Sequence, residues 1–399
     1  MQSNQKIKMN KVYSLGIVQS HLTQFDGPLF RKIAACPDLR LTVYLTRPDG
    51  HFTFYDPELH HVSGWDHDIT SGYHFETIQN GWWNKLSMAH RIAAAGHDLV
   101  IVSGYSSAIS LLILLLSKVH GIPVGMRADS VLLYRTKTTW KWRLKDIILP
   151  LLYRLFTTMH PVGSLARTTM LSYGFSDQAI FLFPYAVDND YLRKQYEIIT
   201  PQRLKLREEL GIDSNAYVIL GVLKFVPRED PLTLLQAYNH VIESFPNTHL
   251  ILVGDGDLHN EITAYVLRHK LHQVHLPGYV PYSHLPRYFA VADIFVHPAR
   301  VEPWGVTVNE ALVCGLPVVA AETVGAAYDL IEGRATGLMF RMGDIDALAT
   351  QLAKLLSDRD QRDRMSQNAI KCISGWSYDL TIEQLRGALQ YVASEKVEH

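Results

Sequence analysis

Two glutamates, Glu302 and Glu310, stand eight positions apart in segment 302–317, which reads EPWGVTVNEALVCGLP. The apolar run 291–297 before them has the length of a buried strand, and His297-Pro-Ala ends it. Residues 300–305 then read as a loop. Val306–Val313 has helix spacing, stopped by Gly315 and Pro317. Unpaired amides around Gly305, Val306 and Thr307, at the positive end of the helix dipole, would seat an anion such as a diphosphate. Gly305 would let a ligand approach the backbone closely. Glu302 in the loop and Glu310 in the helix would flank that seat with hydroxyl acceptors suited to sugar rings. An anion with sugar-like hydroxyls on both sides is the outline of a nucleotide sugar. The bland alternative is a chance pair of glutamates, one of them solvated on a helix, beside a plain turn glycine.

These residues need elements to hold them. At 399 residues the chain exceeds one ordinary core, so two domains are the default. A hydrophobic share of 47% is that of a packed globular protein. A net charge of -1 argues against a dedicated nucleic-acid binder. Cys36, Cys314 and Cys372 form no CxxC and read as reduced thiols of a cytosolic protein. The polar N-terminus precedes a run of only strand length, at 12–18, so no secretory signal is evident. The most apolar stretch, 108–116, is about half of what a bilayer requires and reads as a buried helix.

Strand and helix patterns alternate along the chain, which predicts α/β architecture with parallel sheets. Strands are expected at 12–18, 41–44, 99–102 and 123–127, with helices at 28–35, 83–95 and Ala108–Val119. Residues 181–187 read as a closing strand and turn, and the charged, Pro201-containing stretch 191–210 reads as a linker. A second alternation follows: strands at 218–223, 249–253, 274–276, 294–297 and 317–320, with helices at 231–244, 258–269 and 285–290. LVGDGD at 252–257 lacks the third glycine of a dinucleotide loop and reads as a tight turn. His51, His60, His61, His67 and His74 show no metal-ligand spacing, so no metal is expected.

The whole string 302–317 resembles the donor-site segment of retaining family-4 glycosyltransferases: Glu-Pro-aromatic-Gly, then Asn/Leu-Glu-Ala, then Gly-x-Pro-Val-Val. The resemblance implies the GT-B fold, two doubly wound Rossmann-like domains facing across a cleft. It implies an acceptor-binding domain at 1–190, a nucleotide-sugar domain at 191–375, and a helix at 376–399 crossing back to the first domain. It places Glu310 on the ribose, Glu302 on the donor sugar and Lys224 on the diphosphate. The family's second cation is replaced here by Glu229, so either Arg228 beside it supplies the charge or the grip on phosphate is weakened. Tyr279 and Val280 correspond to base contacts, and Gly325 to a turn near the donor. Asp188-Asn-Asp190 is not the Asp-x-Asp of a metal site; it corresponds to the opening of the interdomain connection and reads as an Asx turn. Segment 24–30, QFDGPLF, resembles the acceptor-side loop of polysaccharide-building members, while the Gly-Gly loop of many relatives is absent. The family's donor-contacting histidine is also absent, leaving Arg127 or Asp129 at the strand end to replace it or merely to pair.

The implied activity is transfer of a hexose-type sugar, with retention, from a UDP- or GDP-sugar to a glycan or lipid-linked glycan hydroxyl in polysaccharide or glycoconjugate assembly. No further cofactor and no metal would be required. The mixed basic and aromatic segment 134–154 reads either as an anionic-membrane surface, at the inner face of the membrane, or as a solvated amphipathic helix. Glu229 and the missing histidine motivate the alternative of a non-catalytic, sugar-nucleotide-binding subunit. A nucleotide-sugar epimerase on the same architecture would lack the EPWG…NEA string.

Overall fold

A computed structural model describes residues 11–47, 54–56, 58–59, 61–79, 81–129 and 140–398. Two six-stranded parallel sheets organise it. The first takes β1 (Tyr13–Gln19), β2 (Leu39–Leu45), β5 (His74–Thr77), β6 (Leu99–Ser103), β7 (Val124–Ala128) and β8 (Thr158–Pro161), in the order β5-β2-β1-β6-β7-β8. A two-stranded antiparallel hairpin, β3 (Phe54–Asp56) and β4 (His61–Ser63), stands outside that sheet. The second sheet takes β9 (Tyr217–Val222), β10 (Thr248–Val253), β11 (Val274–Gly278), β12 (Ile294–His297), β13 (Val318–Ala321) and β14 (Gly337–Phe340), in the order β11-β10-β9-β12-β13-β14. Central strands such as β10 are buried at every position, because crossover helices cover both faces of each sheet. In both sheets the strand order reverses beside the first strand, between β1 and β6 and between β9 and β12.

Two expectations from the sequence are corrected. Residues 181–187 form no regular strand: they run beside β8 through Phe181 N to Met159 O (2.8 Å) and Phe183 N to Pro161 O (2.8 Å), and Pro184 has no amide to continue a ladder. The closing strand of that sheet is β8, whose four residues carry little periodicity. Residues 191–210 are not an open linker but mostly helical, Asn189–Ile199 and Arg203–Glu209, packed on the second domain. Their charges have buried work to do. Arg207 is 3% exposed and, with Arg203, holds Asp293 at 2.8 and 2.6 Å. The Asp188 carboxylate caps the first of these helices by accepting from Tyr191 N at 2.9 Å.

The last helix, Tyr378–Glu398, supplies Ile382, Leu385, Ala388 and Leu389 to the core of the first domain, against Leu15, Ile17, Phe30 and Ile33. Arg386 grips Asp38 with two bonds of 2.7 and 2.8 Å, and Tyr378 Oη donates to Phe25 O at 3.0 Å. One face of the first sheet is therefore finished by the chain's last helix. Leu385 is fully buried there. Leu385→Ala should destabilise the first domain by about 2–5 kcal/mol, read as an earlier urea transition, although the residue lies after the second domain in sequence; an unchanged transition would contradict this packing.

Candidate functional site

A cavity of about 310 Å³ lies between the two domains, over the carboxyl ends of β9 and β12. That is the switch point of the second sheet, where open α/β sheets bind ligands. Gln24, Phe25, Asp56, Leu59 and Trp65 wall it from the first domain. Lys224, Tyr279, Val280, Glu302, Gly305, Val306, Thr307 and Glu310 line it from the second, joined by Glu229 and His297.

The helix Val306–Val313 begins where β12 delivers the chain, and Gly305 precedes it with φ at 91°, in the left-handed region. A Cβ there would stand 2.9 Å from Val324 and 3.2 Å from the His297 ring. The fold itself, and not only ligand approach, therefore demands glycine. Glu302 curls back onto this helix start, accepting from Trp304 N at 3.3 Å and from the Gly305 amide. Burial nevertheless raises its pKa. Glu310 is 2% exposed, and burial alone pushes its pKa up to about 8. Its Oε2 has no hydrogen-bond partner among the described residues. A buried carboxyl with an unused oxygen beside a cavity is ready to meet a hydroxyl.

His297 was not anticipated as a site residue. It ends β12 under Gly305, is 3% exposed, and burial followed by the Arg228 charge pushes its pKa down to about 4. Its Nε2 also lacks a partner and lies 4.0 Å from Glu302 Oε2. A histidine at the carboxyl end of a strand just before the motif was the available signal. Trp304 and Asn309, inside the motif, are structural. Trp304 Nε1 donates to Asn309 Oδ1 at 2.9 Å, and the indole stacks on Trp376 at 5.0 Å. Asn309 Nδ2 and Trp376 Nε1 both donate to Tyr185 O, at 2.9 and 3.1 Å, tying the motif to the first domain.

The cations expected at the anion seat carry partners that the sequence did not reveal. Lys224 Nζ contacts Asp56 Oδ2 and Glu58 Oε2, each at 2.7 Å. Arg228 holds Glu58 with two bonds of 3.0 and 2.9 Å, and also faces Glu229 at 2.9 Å and Glu302 at 3.5 Å. Glu229 is folded beneath this loop, accepting from Lys224 N at 2.6 Å, and burial pushes its pKa up to about 7. A Glu229 whose charge burial disfavours, and which is held on the Lys224 amide and the Arg228 guanidinium, repels an anion less than a free carboxylate would.

Arg127 and Asp129 end β7 and line a second hollow, of about 440 Å³, with Ser103, Tyr105 and Tyr185. The Arg127 guanidinium lies over Phe183 and Tyr185, 4.2 and 4.7 Å from their centroids, and 3.8 Å from Asp26. Asp129 accepts from Tyr185 Oη at 3.3 Å, and its charge adds to the raised pKa of Glu302. Gly325 departs from expectation. It starts the helix Gly325–Leu330 behind the loop, donating its amide to Glu302 O at 3.0 Å, and does not line the cavity. The 252–257 turn sits beside the cavity through Gly254. Ser130, His51, His60 and residues 134–139 of the basic segment lie outside the described residues. No cluster of three metal-ligating side chains and no helix long and apolar enough to cross a membrane occurs among the described residues.

Residues 202–372 match the family model described as glycosyl transferases group 1. The chain is similar to a GDP-mannose-dependent monoacylated alpha-(1-6)-phosphatidylinositol monomannoside mannosyltransferase of Corynebacterium glutamicum, 32% identical over 49% of this chain and 53% of the relative. It spans about half the length of the curated relatives it matches. Among solved structures it resembles a glycosyltransferase from Rickettsia africae, with a TM-score of 0.74 at 15% identity over 96% of this chain and 99% of the other. It also resembles the HepE protein of Anabaena in complex with UDP and glucose, with a TM-score of 0.67 at 18% identity over 95% and 99%. The fold is GT-B.

The Glu310 environment makes a prediction that needs no ligand. A carboxyl raised from 4.5 to about 8 opposes folding once ionised, so stability is full below pH 4.5 and falls as pH rises toward 8. Glu310→Gln escapes that loss. Urea denaturation should find variant and wild type similar at pH 5 and the variant more stable at pH 8.5, by on the order of a few kcal/mol; an equal difference at both pH values would contradict the assignment.

Proposed function

Because the domain covering residues 202–372 belongs to the glycosyl transferases group 1 family, we propose that the protein transfers a sugar from a nucleotide diphosphate sugar to a hydroxyl acceptor, with retention. The observation that carries this reading is the interdomain cavity holding Glu302, Glu310, Lys224 and the helix start at Gly305–Thr307 together. Glu310 takes the ribose hydroxyls, and Tyr279 and Val280 border the base. The helix start and Lys224, aided by Arg228, stabilise charge growing on the departing diphosphate. Glu302 orients the donor sugar for attack. Attack proceeds on the leaving-group face, with the departing phosphate taking the acceptor's proton, so that retention needs no enzyme nucleophile. Cationic side chains supply the neutralisation that a metal would otherwise give.

The hollow holding Arg127 and Asp129 receives the acceptor. The donor is a UDP- or GDP-sugar; similarity to a GDP-mannose-dependent enzyme and to a structure holding UDP supports both bases. Transfer should be measured with a panel of nucleotide sugars, beside calorimetry with UDP and GDP. Glu302→Gln should keep nucleotide affinity and lose turnover roughly 100-fold or more, whereas Glu310→Ala should lose nucleotide affinity. Nucleotide binding without turnover for every donor and acceptor would favour the non-catalytic subunit, a reading that the ion-paired state of Lys224 and Arg228 supports.

The acceptor is a glycan or lipid-linked glycan, and the protein works at an anionic membrane surface. Helix Trp140–Tyr153 leaves Trp140, Leu144, Ile147, Ile148 and Leu151 exposed at helix spacing. Its neighbour in the same core, helix Ala108–Val119, exposes Leu115 and Val119. The surrounding sequence carries Arg135, Lys137, Lys141, Arg143, Lys145 and Arg154 against Asp146. Exposed apolar side chains on a segment of basic sequence suit an anionic interface. The protein should float with vesicles containing phosphatidylglycerol but not with pure phosphatidylcholine, and the pair Ile147→Asp and Leu151→Asp should abolish flotation; flotation that survives both changes would refute this surface.

A further inference from the structure

The contact between the β3–β4 hairpin and the second domain resembles a ligand's. Asp56 ends β3 and lines the cavity, and its carboxylate is shared between Glu58 N at 2.9 Å and Lys224 Nζ at 2.7 Å. Glu58 receives Lys224 on one oxygen and the two-pronged fork of Arg228 across both. Gly256, in the turn after β10, lies so close that a Cβ would stand 2.9 Å from Glu58 O. A forked guanidinium with an ammonium beside it is the grip that proteins place on phosphate groups. Arg228, first through its bonds, and Lys224 hold the Glu58 carboxyl far toward its charged form, at about 2.

Charge makes the arrangement consequential. Among the described residues Lys224 and Arg228 are the cations paired at this end of the cleft, and Asp56 and Glu58 balance them before Glu229 or Glu302 is counted. A diphosphate entering beside Lys224 would meet cations already neutralised, with carboxylates at its own position. It must displace them. Displacement is feasible because Glu58 and Arg228 are each 37% exposed, and ion pairs that touch water hold weakly.

Resting on the donor-site reading above, we propose that Asp56 and Glu58 are exchangeable stand-ins for the donor's diphosphate, so that nucleotide binds in competition with the hairpin and the two carboxylates set its affinity. In the absence of donor the cations are never bare. When donor is present, Lys224 and Arg228 pass from carboxylate to phosphate, and the hairpin carboxylates return to water. The penalty falls chiefly on the phosphates, since Lys224 and Arg228 carry the ion pairs with Asp56 and Glu58.

The test is calorimetry of wild type and the pair Asp56→Asn and Glu58→Gln with UDP, GDP, uridine and guanosine, with melting temperature as a folding check. The paired variant should bind the matching diphosphate with a Kd about tenfold lower, because the competitor no longer occupies the cations, and bind the nucleoside as wild type does. Glu58→Gln alone, at a half-buried position, should fall between them. Diphosphate binding by the variant where wild type shows none would support the proposal more strongly still. Equal diphosphate affinity in both proteins would overturn it and leave the donor site standing. If neither protein binds UDP or GDP, the donor reading fails and this proposal falls with it.

Discussion

The cleft is too dry to keep its carboxylates charged without help, and the rest of the site is arranged around that constraint. Glu310, Glu302 and Glu229 all have pKa values raised chiefly by burial. Each is managed differently. Glu229 accepts a backbone amide and a guanidinium. Glu302 accepts amides at a helix start, and Glu310 keeps an unused oxygen in an apolar wall. A buried carboxyl that stays neutral costs the fold little.

The same constraint explains why the two domains meet where they do. Lys224 and Arg228 stand at the mouth of the cleft with carboxylates of the first domain on them. Asp66 accepts from Ser283 N at 3.0 Å, and Asp329 accepts from Ser164 N and Oγ at 2.9 and 3.0 Å, each across the domain boundary. These contacts are polar and partly wet, the kind that can exchange. The apolar tie is elsewhere: the Trp304–Trp376 stack and the last helix, which locks into the first core. Cavity lining and domain attachment thus fall to different residues of a single motif. Trp304 and Asn309 serve attachment, while Glu302 and Glu310 face the cavity.

Much of the second domain was legible in the sequence because its strands are buried on both faces and so are written as apolar runs. The helix Val306–Val313 was readable from its periodicity and its glycine boundaries. Short or half-exposed pieces were not. β8 is four residues ending in proline, and residues 191–210 look like a polar linker because Arg203 and Arg207 spend their charge internally on Asp293. Gly325 was read as part of a turn near the donor, and its amide meets the Glu302 carbonyl.

The sequence by itself determined two α/β domains, the motif that lines the cleft, and a lysine and arginine beside it, since these depend on local spacing and residue type. Only the tertiary structure decided what those cations touch. Asp56 and Glu58 lie 168 and 166 positions from Lys224, inside a hairpin with no periodic signal. It also decided that Glu310 is dry and that His297 lies under Gly305. Burial and ion pairing are properties of space, set by which surfaces the two domains bring together, and no local pattern encodes them.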